Sequence, residues 1–126
     1  MKLFRVILPV HDIDAAAAFY GAVLGEPGRR VSNGRHYFGG EEGAILACYE
    51  PGADGDDVGE GWKHHPNQYV YFAVENLDPA RQACESAGAT AITPIQKMPW
   101  GETMFWALDP FGNPISFVQS GTEFTG

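Results

Sequence analysis

Few side chains in this chain of 126 residues are equipped for chemistry. Its histidines are His11, His36, His64 and His65, and its cysteines are Cys48 and Cys84. A divalent cation that does catalysis wants neutral imidazole or carboxylate oxygen around an open position. His64 and His65 are adjacent before Pro66, so the two rarely aim at one point, and His11 lies in "PVHD", where a strand gives way to a helix. The residue types leave one metal set, His36 on the strand-like "RHYFGG" with Glu102 and a loop histidine; the plainer reading is solvated loop histidines. Ser116, in "DPFGNPISF", would need a neighbouring base and an oxyanion site to act as a nucleophile, and the sequence shows neither. The Gly-rich "FGGEEG" and "PGADGDDVGEG" lack the Lys-Ser/Thr ending and strand-to-helix setting of a phosphate loop. Two cysteines are too few for a disulfide framework and read as small buried apolar residues, which fits a cytoplasmic protein.

Charge narrows the partners. The formal net charge of −8 and pI near 4.8 argue against nucleic acid, because phosphate contacts need clustered Lys and Arg. Only Arg29, Arg30 and Arg35 cluster. No apolar run approaches the roughly 18 residues of a membrane span, and "MKLFRVILPVHD" lacks the small-residue cleavage site of a signal peptide. The acidity either favours cationic ligands or only maintains solubility.

These residues must be positioned by a repeat. "FRVILPVHDIDAAAAFYGAVLG" (residues 4–25) and "QYVYFAVENLDPARQACESAG" (68–88) share a strand-like run, then Val-x-x-apolar-Asp, then a helix-like run closing at Gly. Val10 matches Val74, Ile13 matches Leu77 and Asp14 matches Asp78, each at an offset of 64 residues. In the first helix Asp12 or Asp14 is the expected cap, Ala16, Phe19, Val23 and Leu24 form the apolar stripe, and Gly25 stops it. In the second, Asp78 is the expected cap, Pro79 the first helical residue, Ala80, Ala83, Cys84 and Ala87 the stripe, and Gly88 the stop. Strand-like pieces follow at 28–32, 35–39 and 43–50, and again at 89–97, 101–108 and 114–119. The expected class is α+β: a single domain of two β-α-β-β-β modules, residues 1–50 and 68–126, joined by a connecting loop over 51–67.

Helices on one face of each sheet leave the other face open as a groove. Alternation assigns Phe4, Val6, Leu8 and Val10 to the first helix and Arg5, Ile7 and Pro9 to the groove. It assigns Val70, Phe72 and Val74 to the second helix and Tyr69, Tyr71 and Ala73 to the groove. Glu102, Met104, Trp106 and Ser116 are expected in the groove, with Phe105, Ala107, Ile115 and Phe117 behind. Tyr49, Tyr69, Tyr71, Met104 and Trp106 are then candidate walls, and Trp62 and Trp100 sit in flanking loops. Such a groove suits stacking and cation–π contacts. Arg5 there calls for an acidic partner such as Glu102, or for an anionic ligand group.

"PVHDIDAAAAFYGAVLG", "YVYFAVENLDPARQACESAGA" and "WALDPFGNPISFV" together resemble the vicinal oxygen chelate superfamily of glyoxalases, extradiol dioxygenases, fosfomycin-resistance enzymes and bleomycin-resistance proteins. The resemblance covers residues 3–119. It implies half-barrel sheets around a groove, a homodimer, and in the enzymes a divalent metal held by His, Gln or Glu from four strands. Carried onto this chain, those positions are Arg5, Ala47 (or Cys48 after a one-residue slip), Tyr69 and Ser116. None is a good ligand: Arg has no acceptor, Ala no donor atom, and neutral phenol and hydroxyl are weak. The expectation is therefore a protein with no metal and no cofactor, resembling the bleomycin-resistance branch and sequestering a small aromatic or amphipathic molecule. Its ligand-binding residues would be Arg5, Ile7, Tyr49, Trp62, Tyr69, Tyr71, Trp100, Glu102, Met104, Trp106 and Ser116. The alternatives are a lyase, isomerase or dioxygenase of the same fold with displaced metal ligands (from His36, His64, His65 and Glu102), or an interaction domain whose groove its partner chain fills.

Overall fold

A computed structural model describes all 126 residues, Met1–Gly126. The chain forms two compact units, Met1–His64 and His65–Gly126. The first unit runs β1 (Arg5–Pro9), α1 (Ile13–Leu24), β2 (Arg29–Ser32), β3 (Arg35–Gly39) and β4 (Ile45–Tyr49), followed by a 3-10 turn at Pro51–Asp54. The second runs β5 (Val70–Val74), α2 (Leu77–Ala87), β6 (Gln96–Lys97), β7 (Thr103–Leu108) and β8 (Pro114–Gln119). Each unit is thus β-α-β-β-β with one four-stranded mixed sheet, in the orders β1-β4-β3-β2 and β5-β8-β7-β6. No helix is long and apolar enough to cross a membrane.

In each unit the first strand pairs in parallel with the last, and that last strand pairs antiparallel with the one before it. The parallel pair needs a long crossover, which each helix supplies. α1 buries Ile13, Ala16, Phe19, Tyr20 and Val23, while Leu24 is only half-buried. Asp12 is its cap, accepting from the Ala15 amide at 3.0 Å, and Gly25 closes it in the left-handed conformation. Asp14 is instead paired with Arg30.

α2 begins earlier than expected: Asn76 is its N-cap residue and makes no side-chain cap bond, so Asp78 sits inside the first turn and Pro79 beyond the first helical position. A proline in that turn still costs no hydrogen bond. α2 buries Leu77, Ala80 and Cys84, and burial pushes the Cys84 thiol up to about 11, which keeps it protonated and inert. The second difference is at 89–97, which is not one strand. Thr90 bridges to Leu108, the chain then breaks with Ala91 at φ 51°, the Thr93 amide donates to the Trp106 carbonyl at 2.9 Å, and regular strand pairing returns over Gln96–Lys97.

The residues joining β7 to β8 are held by one buried carboxylate. Asp109 accepts from the amides of Phe111 (2.9 Å) and Asn113 (2.8 Å) and from the Asn113 side chain (2.8 Å). Its own amide donates to the Asn113 carbonyl at 2.9 Å. The first unit is tied differently. Asp54, from the 3-10 turn, receives the Ser32 hydroxyl at 2.7 Å, the Gly34 amide at 2.6 Å and the Arg35 guanidinium. A Cβ at Gly34 would lie 2.2 Å from the Glu50 carbonyl oxygen, so only glycine fits between the β2–β3 turn and the end of β4.

Replacing Asp109 by Ala strands three donors in a buried turn, and each charge-assisted bond of this kind contributes about 1.5–3 kcal/mol. Asp109→Ala is expected to lower the urea midpoint by more than Asp12→Ala, whose lost cap costs about 1 kcal/mol. Equal midpoints would show that the turn does not hold β8.

Candidate functional site

The register of each central strand decides what faces away from the helix. On β4, Ala47 lies opposite Ile7 of β1 and Tyr37 of β3. On β8, Ser116 lies opposite Tyr71 of β5 and Trp106 of β7. The two units therefore repeat one cross-strand row, Ile7–Ala47–Tyr37 in the first and Tyr71–Ser116–Trp106 in the second. In both, the smallest side chain stands at the centre and larger ones at the flanks. Cys48, one residue on, pairs with Leu8 and His36 on the helix side, so β4 is not slipped.

On the open face of the first unit, Arg5 and Ile7 are exposed. Arg5 has no carboxylate within ion-pair distance; its guanidinium stands 5.1 Å from the Phe4 ring centre and 5.9 Å from that of Tyr37. The Arg35 guanidinium lies 4.1 Å over Tyr49 and is also paired with Asp54 and, at 3.5 Å, Asp56. The Tyr49 hydroxyl donates to Asp56, which raises its pKa. Trp62 meets Tyr49 edge-on at 5.2 Å, and its buried indole N–H has no partner. Tyr37 was not among the expected walls, although the alternation of "RHYFG" places it on this face.

His36 belongs to the other side. It is buried beside Phe38 (ring centres 5.0 Å apart), with Nε2 2.9 Å from the Pro27 carbonyl and Nδ1 accepting from Arg30 Nε at 3.3 Å. Both ring nitrogens are engaged within the first unit, which corrects the displaced metal set built on His36. Glu102 is likewise committed within the second unit, and no three His, Cys, Asp or Glu residues gather as metal ligands.

In the second unit the open face holds two clefts at opposite ends of β8. One, about 400 Å³, is lined by Tyr69, Trp106, Leu108 and Pro114 together with Pro66 and Thr93. The other, about 430 Å³, is lined by Tyr71, Ala73, Val118, Trp100, Glu102 and Phe124 among others. Between their ends sits Ser116, fully buried, its hydroxyl without a partner. Met104, expected as a wall, shares this face but is fully buried beside Val118.

Glu102 organises the second cleft. One carboxylate oxygen accepts from Trp100 Nε1 at 2.6 Å and the other from the Phe124 amide at 2.9 Å. The Phe124 bond, then the Trp100 bond, holds its pKa below the ordinary glutamate value. Phe124 lies in a terminal segment without periodicity, and no local signal marked it.

The arrangement can do little covalent chemistry. No base stands against Ser116, and the four positions implied for a metal hold Arg5, Ala47, Tyr69 and Ser116, a set that does not fit a divalent cation. What it offers is exposed aromatic surface with a few fixed polar groups.

A family model described as "Glyoxalase/Bleomycin resistance protein/Dioxygenase superfamily" matches residues 2–117. Among solved structures, a glyoxalase/bleomycin resistance protein from Albidiferax ferrireducens T118 is 20% identical, with a TM-score of 0.74 over 92% of this chain and 97% of that one. A glyoxalase-related enzyme from Fulvimarina pelagi is 18% identical, with a TM-score of 0.77 over 100% of this chain and 93% of the other. A lactoylglutathione lyase from Agrobacterium tumefaciens is 17% identical, with a TM-score of 0.67 over 94% and 93%. At these identities the likeness is one of fold. No curated protein matches the chain.

Two outcomes are expected. Ser116→Ala removes an unsatisfied buried hydroxyl, whose desolvation costs about 1–3 kcal/mol, so the variant should melt at or above the parent temperature in calorimetry; a clear fall would reveal a partner for the hydroxyl. Glu102, with its depressed folded pKa, stabilises above its unfolded pKa, and that contribution is lost as pH falls through the folded value. Protection of the Phe124 amide in hydrogen exchange, corrected for intrinsic rate, should therefore persist at neutral pH and vanish on acidification below the ordinary glutamate range. Protection that is flat with pH would remove Glu102 as the tether.

Proposed function

The chain belongs to the glyoxalase/bleomycin resistance protein/dioxygenase superfamily, and from that premise we propose that it is a metal-independent binding protein that captures a small aromatic or amphipathic molecule. The observation that carries this reading is the donor set. Where the superfamily resemblance implies metal ligands, this chain has a guanidinium, a methyl, a phenol and a hydroxyl, none of which holds a hard or borderline cation. Aromatic walls support capture instead, since Tyr69, Tyr71 and Trp106 stand beside the two clefts of the second unit.

Capture needs only differential burial. A ligand that stacks on the rings removes their exposed apolar area from water, and aromatic pairs add about 0.5–1.5 kcal/mol beyond that area. Hydroxyls of Tyr69 and Tyr71 orient polar groups. From Pro114 to Val118 along β8 the clefts are separated by about 13 Å, a span that suits an elongated amphipathic ligand. Sequestration of this kind is how a cytoplasmic protein would confer resistance to a toxic natural product. A homodimer is part of the same reading: β1 is an edge strand, and Leu3 and Phe4 just before it and Ile7 within it are exposed apolar side chains that a second copy would cover.

Purified protein should carry no stoichiometric Zn, Ni, Mn or Fe by elemental analysis, and chelators should leave ligand-induced quenching of tryptophan fluorescence unchanged. Trp106→Ala should lose most of that quenching. A stoichiometric metal that disappears with His36→Ala or Glu102→Ala would replace capture with metal-dependent enzymology.

A further inference from the structure

We propose that the cleft lined by Tyr71, Trp100, Phe124, Glu102 and Glu123 is a site for an organic cation, a quaternary or fully substituted ammonium group. The proposal rests on the capture reading and assigns the charge of the ligand end that this cleft takes.

The first observation is a convergence of exposed rings. Tyr71, Trp100 and Phe124 are 53%, 46% and 60% exposed, and all three line one cleft of about 430 Å³. Isolated exposed aromatics are ordinary, but three around one concavity are a binding surface. They come from three places, β5, the turn before β7 and the terminal segment, so the gathering is tertiary.

The second observation is charge. The cleft's lining holds the carboxylates of Glu102 and Glu123 and no Lys or Arg. Glu102 is buried and has one bond on each oxygen, which leaves each oxygen further acceptor capacity. Its bond from Trp100 also fixes the indole ring at the cleft. Glu123 accepts only the Gly121 amide. A cation entering here meets three aromatic rings, the fixed carboxylate of Glu102 and the exposed carboxylate of Glu123; an anion meets repulsion. Rings combined with carboxylates are the combination that recognises a poorly hydrated ammonium, because the rings attract its charge without needing N–H donors. The other cleft, at Trp106, has no ionisable side chain except the Tyr69 phenol and suits the uncharged end.

The test uses choline and its uncharged isostere 3,3-dimethylbutan-1-ol, with the full chain and the indole N–H signal of Trp100 as readout, assigned by its loss in Trp100→Phe. Choline is expected to shift that signal saturably, with the isostere weaker by at least about tenfold, the ratio that cation–π contacts with the three exposed rings together supply. Glu123→Gln, at an exposed position, should weaken choline severalfold and leave the isostere unchanged, and added salt should do the same. Equal affinity for the two compounds overturns the proposal. Indole supplied as a neutral aromatic probe separates the two readings. If indole shifts the Trp106 signal while choline leaves Trp100 unmoved, the cation assignment fails and capture stands. If neither compound produces a saturable shift, both fail.

Discussion

The assignment of each side chain to a face depends on the register of β4 and β8, which join the parallel and antiparallel parts of each sheet. A strand has a period of two, so a slip of one residue would bring Phe117 to the open face and carry Ser116 into the layer under α2. Phe117 stacks on Phe105 at 4.9 Å and on Phe72 at 5.3 Å, an aromatic sandwich that exists in one register only. Asp109 sets where β8 begins. In the first unit Asp54 and the close approach at Gly34 hold the β2–β3 turn against the end of β4. The open faces are therefore consequences of contacts made behind and beside them.

Much of this was legible because strand alternation and helix caps are local. The repeat at an offset of 64 residues gave the two β-α-β-β-β passages, and alternation along 114–119 separated Ile115 and Phe117 from Ser116. The same alternation in "RHYFG" pairs His36 with Phe38 and sets Tyr37 apart, so the helix-side place of His36 was readable before any metal role was considered. What was not legible is tertiary. Nothing near Asn76 says that α2 starts without a side-chain cap, when Asp78 offers a better one. Thr90 bridges to Leu108 because β7 is there, and a strand-like composition over 89–97 cannot report the break at Ala91. Phe124 enters a cleft only because Glu102, far away in sequence, accepts its amide.

The chain also separates fold from chemistry. Relatives under 25% identical share its architecture over more than nine-tenths of its length, and the layer of Phe, Ile and Val that holds the sheets needs nothing from the open face. Groove residues can therefore differ between relatives without disturbing that layer. The donor set at Arg5, Ala47, Tyr69 and Ser116 is such a case.

The two repeated rows lead to a consequence in sign. On the first unit the open face brings Arg5, Arg29 and Arg35 against Tyr37 and Tyr49; on the second it brings Glu102 and Glu123 beside Tyr71 and Trp100. The total charge of −8 does not show this, because it is divided evenly between the two units, −4 in each. The two open faces thus differ in which charged groups stand beside their rings, arginines on the first unit and glutamates on the second.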